Sequence, residues 1–205
     1  MWAGRVDEGY LFGELTPASV ETLKGVPMLI ESSDARVRDR LLPETCDAEA
    51  DEAQWRQHAV PELERLFLSR AQLVRRDLAQ LRQMPKSVNS LLLIPCEHVN
   101  AWLAALNAAR LALFVLNDMT AEHMTEEGFT KASVKQQEAA LRIDLLAEMQ
   151  AVLLGEYPVD DDGSFDDSAT SDPTPEPEPL PAPDVELRDA LVRVFVVGGA
   201  YTASA

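Results

Sequence analysis

The chain is short of almost everything that marks a catalytic or extracellular protein. It has two cysteines in 205 residues, Cys46 and Cys96, with no CxxC spacing. Two such thiols build no disulfide framework and suggest a reducing compartment. Its nine glycines form no phosphate-cradling loop, and no Walker A, GxGxxG, GxSxG or HExxH pattern occurs. The three histidines, His58, His98 and His123, lack metal spacing. Cys96 and His98 make one local Cys-x-His pair, but zinc needs three or four ligands and no second pair follows. No metal or cofactor is therefore expected. Basic residues are also scarce, 18 Lys and Arg against 35 Asp and Glu. A net charge of −17 excludes a basic footprint for nucleic acid. No long uninterrupted apolar run is present. The longest stretch, Ala101 to Leu116, is broken by Asn107 and Arg110 and reads as too short for a bilayer span. The start, MWAGRVDEGY, shows no basic region followed by an apolar one, so no signal peptide is expected. A cytoplasmic protein without a membrane or nucleic-acid partner is the simplest expectation.

The acidity is local. From Glu156 to Leu187 there are eleven Asp or Glu and no Lys or Arg, and setting those aside leaves −6 of the −17. Residues 157–183 hold DDDGSFDD and then DPTPEPEPLPAP, a composition that cannot bury a core and predicts a disordered linker. Placing Gly163 at position 6 of a calcium loop puts Pro158 at position 1 and Ala169 at position 12, so the first and last ligands are missing. Residues 184–205 read as a short C-terminal element, with Asp184 ahead of VELRDALVRVFVV.

The remaining residues, 2–156, predict a mainly α domain with a small N-terminal β-hairpin. Trp2 to Val6 and Tyr10 to Phe12 flank an Asp7-Glu8-Gly9 turn. Thr16 is placed to cap a helix with Pro17 at its first position. Pro27 should kink or end that helix. Arg36 to Cys46 reads as irregular, and Asp47 to Ala59 as a short helix anchored by Trp55. Leu63, Leu66, Phe67, Leu73, Val74, Leu78 and Leu81 recur at helical steps, predicting one long helix from Pro61 to Pro85. Leu91 to Ile94 suggests a third short strand. Ala101 to Leu116 is apolar nearly all round, the pattern of a buried helix. Thr120 to Phe129 reads as a turn or short helix. A last helix spans Ala132 to Leu154, with Val134, Leu141, Leu145, Met149 and Val152 on one side and Gly155 closing it.

Asn107 and Arg110 lie three residues apart on the central helix. A guanidinium keeps its charge, so burying it demands hydrogen-bonding partners. One reading is a polar clamp, with Asp39, Glu44 or Asp77 as the carboxylate; the other is an anion pocket formed with Arg40. Arg65, Arg70, Arg75, Arg76 and Arg82 dot the long helix. They read as a solvated face with pairs such as Glu62–Arg65, or as a strip for an acidic partner or the chain's own acidic tail. The neighbouring acids Asp51-Glu52 and Glu126-Glu127 point apart on a helix and make poor acid/base pairs.

Three segments carry a family resemblance: the N-terminal hairpin and helix, Arg40-Leu41-Leu42-Pro43, and AWLAALNAARLAL from Ala101 to Leu113. Together they resemble a bacterial family of uncharacterised proteins, domain of unknown function 2017, over roughly Gly4 to Leu116. The family pattern WLxxLNDxRLALG differs here at Ala108 and Phe114. The resemblance implies no established activity and carries no catalytic residue. Some actinobacterial members lie beside the gene for the Clp protease adaptor, which suits a regulatory role. The expectation is a non-enzymatic interaction or regulatory protein with an unidentified protein partner, linked to proteolysis. The alternatives are an anion-binding protein or enzyme using Arg110, and a homodimer.

Overall fold

The computed structural model describes residues 1–156. The linker expected over 157–183 and the element expected over 184–205 lie outside the described residues.

Strand β1 (Trp2–Val6) turns back into β2 (Gly9–Leu15), with Val6 opposite Gly9 and Trp2 opposite Gly13. The Thr16 hydroxyl then accepts from the Ser19 N–H at 3.2 Å and starts α1 (Pro17–Ile30). The break expected at Pro27 does not occur. Pro27 sits in the last turn, so few helical bonds depend on it. Thr22, Leu23, Val26, Pro27 and Ile30 are all buried, and that burial outweighs a penalty of about 3 kcal/mol.

The stretch expected to be irregular contains α2 (Ala35–Leu41). The Asp34 carboxylate accepts from the Arg36 N–H at 2.9 Å and caps it. Only Val37 of this helix is buried, too little to make a visible apolar period. Helix α3 (Glu49–His58) forms as expected, but none of its residues is buried and Trp55 is only half-covered. Helix α4 (Val60–Leu78) ends before the expected Pro85. The chain instead leaves the helix and forms β3 (Arg82–Gln83), which pairs with β4 (Ser90–Pro95). Strand pairing thus takes residues that helical spacing had claimed. The sheet order is β1-β2-β4-β3, all antiparallel, so the third strand joins the hairpin through β2.

A 3-10 turn at Cys96–His98 leads into α5 (Val99–Leu116). With that turn the segment is long and apolar enough to cross a membrane by length and composition, contrary to the expectation from the run Ala101 to Leu116 alone. Here it is the core helix, packed against α1, α2, α4 and α7 (Val134–Leu153). Trp102, Leu106 and Leu113 are buried along it, and Ala105, Ala108, Ala109 and Ala112 keep its surface low. A short helix α6 (Glu126–Lys131) precedes α7, whose start is fixed by a Ser133–Gln136 capping box. The buried stripe of α7 is Ala139, Ala140, Ile143, Leu146, Met149, Val152 and Leu153. Met149 and Val152 of the expected stripe are in it, Leu141 and Leu145 are half-buried, and Val134 is 71% exposed. Ala139 and Ala140 join Met119 in a small cluster, while Ile143, Leu146, Met149, Val152 and Leu153 enter the main core. Gly155, at φ +75°, turns the chain out of α7.

Candidate functional site

The charge in the central helix is held by α7. Arg110 is half-buried, and its Nη1 donates to Gln150 Oε1 at 2.6 Å. Gln150 Nε2 in turn donates to the Leu103 carbonyl at 3.0 Å, so one amide ties both helices. Burial pushes the Arg110 guanidinium below its ordinary range, and the charge of Asp144 opposes that. Burial also pushes the Asp144 carboxyl up, against the pull of Arg110 and with a further push from Glu148. Glu148, one turn further along α7, is raised by burial and held back by the Met1 ammonium. The Arg110 Nε is buried with no hydrogen-bond partner among the described residues.

Asp39, Glu44 and Asp77, the carboxylates expected beside Arg110, do not pair with it; α7 supplies Asp144 and Gln150 instead. Asn107 and Arg40 are exposed. No hydrogen bond or ion pair among the described residues joins Arg40, Asn107 and Arg110 to one another. Asp144, Glu148 and Gln150 are not legible from the sequence pattern. They flank a buried stripe that the apolar period finds only in part, and only their spacing relative to the full stripe could reveal them.

Asp77 has a different task. It is 3% exposed, and its Oδ2 accepts from Trp102 Nε1–H at 2.9 Å and from His98 Nδ1 at 2.9 Å. Arg76 Nη2 lies 3.2 Å from His98 Nε2. A guanidinium can only donate, so Nε2 accepts and the imidazole proton sits on Nδ1, donated to Asp77. A carboxylate orienting an imidazole resembles a general-base pair. Here the nitrogen that would react is engaged by Arg76, and the group pins α4 to the entry of α5. Cys46 and Cys96 are free, in keeping with the absence of a disulfide framework. Among the described residues no group of three His, Cys, Asp or Glu is placed to hold a metal.

The open concavities lie on either side of α1. One, of about 350 Å³, runs between α1, α7 and the end of α5, lined by Gly25, Met28, Leu29, Ser32, Leu116 and Arg142. Gly25 makes room for the cation: a Cβ there would come within 2.9 Å of Arg142 Nη2. Among the described residues the buried Arg142 Nε has no hydrogen-bond partner, and no carboxylate forms an ion pair with this guanidinium. Burial pushes it below its ordinary range, with Glu138 acting against that from a distance. The second groove, of about 210 Å³, lies between α1 and α4 and is lined by Lys24, Pro27, Arg75, Leu78 and Ala79. Lys24 pairs with Glu21 at 3.0 Å and Arg75 with Glu31 at 2.7 Å. On the same helix, Met28 is 72% exposed. The face is therefore an apolar ridge flanked by two troughs with cationic rims. Of the expected arginine strip, Arg75 contributes here, while Arg65 forms the expected local pair with Glu62 at 2.8 Å.

A family profile described as "Domain of unknown function (DUF2017)" matches residues 12–156, well over half of the chain. No curated protein and no solved structure matches.

Proposed function

The chain belongs to the DUF2017 family, and we propose that it is a non-enzymatic interaction or regulatory protein whose grooved α1 face receives a protein partner. The observation that carries this reading is the groove at Arg142. It offers apolar walls from Met28, Leu29 and Leu116 beside a guanidinium to which no carboxylate among the described residues is paired. Met and Arg are the side chains enriched in protein interfaces, and interface anchors sit in such apolar troughs. The alternative, a ligand or substrate pocket at Arg110, has weaker support. That guanidinium is engaged by Gln150, and Arg40 and Asn107 do not join it. A setting in regulated proteolysis is suggested only by the gene neighbourhood of some family members.

The test is site-specific photocrosslinking from position 28 in the cells that make the protein. Discrete protein adducts are expected, and they should weaken when Arg142 is replaced by Glu. Val88 is equally exposed at 72% and provides the control position. Position 28 yielding no adducts beyond those at position 88 would overturn the proposal.

A further inference from the structure

Taking the α1 face as a docking surface, as above, we propose that its resident occupant is the chain's own segment DDDGSFDD, residues 160–167. Phe165 fills the α1–α7 trough, and a flanking carboxylate meets Arg142.

Three observations converge on this segment. The first is the chemistry of the trough. Met28, Leu29 and Leu116 want an apolar group, and Arg142, unpaired among the described residues, wants an anion within a few ångströms of it. Phe165 is the one aromatic residue between Pro158 and Pro183, and aspartates stand close on both sides of it.

The second is charge. The stretch from Glu156 to Leu187 carries eleven acidic residues and no basic one. The rims of the two troughs carry Arg142, Lys24 and Arg75. Glu21 and Glu31 already balance Lys24 and Arg75, which leaves Arg142 as the cation to be met.

The third is reach. Arg142 precedes Glu156 by fourteen residues along α7 and its end, a distance of about 21 Å at helical rise. Phe165 follows Glu156 by nine residues, a covalent reach of about 30 Å. The tether is long enough to bring the ring back beside Arg142, and little longer than it needs to be. A tether of this kind holds its group at millimolar effective concentration, so a shallow trough and one ion pair suffice to keep it seated. An outside partner must then displace the segment, which makes the acidic arm a brake on the face it covers.

The experiment uses the full chain with ¹³C-labelled methionine methyls. Met28 is the reporter, assigned by its loss in Met28→Leu, and the buried Met119 and Met149 report that the fold is intact. In the wild type the Phe165 ring current should displace the Met28 resonance. Phe165→Ala should remove that displacement, and Arg142→Gln should move the resonance toward the Phe165→Ala position. Salt of about 1 M, where the Debye length is about 3 Å, should do the same. Unchanged Met119 and Met149 resonances in Phe165→Ala separate loss of docking from loss of fold. A Met28 resonance that is identical in wild type and Phe165→Ala would overturn the proposal. A displacement that grows with protein concentration would overturn it in favour of a second copy. If Met28 crosslinks to a partner while its resonance ignores Phe165, the docking reading stands and this occupant falls.

Discussion

Replacing Asp77 by Asn tests whether the buried carboxylate is the pin between α4 and α5. Asp77 Oδ2 serves two donors at once, Trp102 Nε1–H and His98 Nδ1–H, each at 2.9 Å. The Asn amide presents one acceptor and one NH₂. Its oxygen can stand where Oδ2 stands and accept from both, its nitrogen taking the place of Oδ1, so the substitution removes the charge from two buried hydrogen bonds. A hydrogen bond to a charged group contributes about 1.5–3 kcal/mol and one between neutral groups about 0.5–1.5 kcal/mol, and two bonds are weakened together. The expected loss is therefore about 2–4 kcal/mol. At about 2–4 °C per kcal/mol for a protein of this size, the melting point should fall by roughly 5–15 °C. Trp102→Phe keeps the ring and removes the donor, and should cost about 1–2 kcal/mol because the other bond to Asp77 survives. The double variant should cost clearly less than the sum of the two, since the bond from Trp102 is counted in both single losses. Urea denaturation followed by far-ultraviolet circular dichroism gives all four corners of the cycle. Additivity within about 0.5 kcal/mol would refute the shared-acceptor argument, because groups in one network couple by more than that.

Other outcomes follow from the same geometry. Arg110→Met removes the cation beside the half-buried Asp144 and should destabilise by about 1–3 kcal/mol at neutral pH. The loss should shrink in acid, where Asp144 is protonated, and a loss independent of pH would refute the electrostatic coupling. Burial raises the Glu148 carboxyl above its ordinary 4.5, so its contribution to stability is present below that pH and fades as pH rises through the raised value. Glu148→Gln should therefore gain on the wild type between about pH 4.5 and neutrality, and urea midpoints that stay parallel would count against it. Gly25→Ala places a methyl 2.9 Å from the Arg142 Nη2. The end of that side chain can shift, so stability should change by less than about 1 kcal/mol, the better helix propensity of alanine offsetting the crowding. The crosslinks from position 28 should nonetheless weaken as the trough narrows. Unchanged crosslinking would separate Gly25 from the docking surface.

Much of the architecture is legible from local rules. Thr16-Pro17 sets the start of α1, and the apolar surround of Trp102 to Leu113 marks the core helix. The turn before Tyr10 announces the hairpin. What escapes those rules depends on neighbours distant in sequence. Leu81 and Arg82 continue a helical pattern, but β4 offers hydrogen bonds that claim the chain. Pro27 should break a helix, but its ring is buried beside Val26 and Ile30. Periodicity finds Met149 and Val152 on the inner face of α7 but misses Ile143 and Leu146, and Ala139 and Ala140, which carry little hydrophobic weight. The same partial reading hides the α7 side of the Arg110 seam. The requirement that a charge in that helix be partnered is readable from its surroundings; the partners are not. Arg142 is invisible for a further reason, since its trough exists only where a glycine of α1 passes it.

The pairing of β2 with β4 sets a schedule for the chain as it is made. Residues Gly9–Leu15 bond to Ser90–Pro95, and everything from α1 to β3 lies between them. At about 5–20 residues per second, the hairpin leaves the ribosome roughly 4–15 s before the strand that completes it. For that interval β2 offers an open edge carrying Phe12 and Leu15, side chains that are fully buried in the finished fold. Such an edge is a template for pairing with a neighbouring chain. The nascent protein is thus most exposed to misassembly before its central helix exists, and slowing synthesis between α1 and β4 should lower the yield of folded protein without altering its final stability.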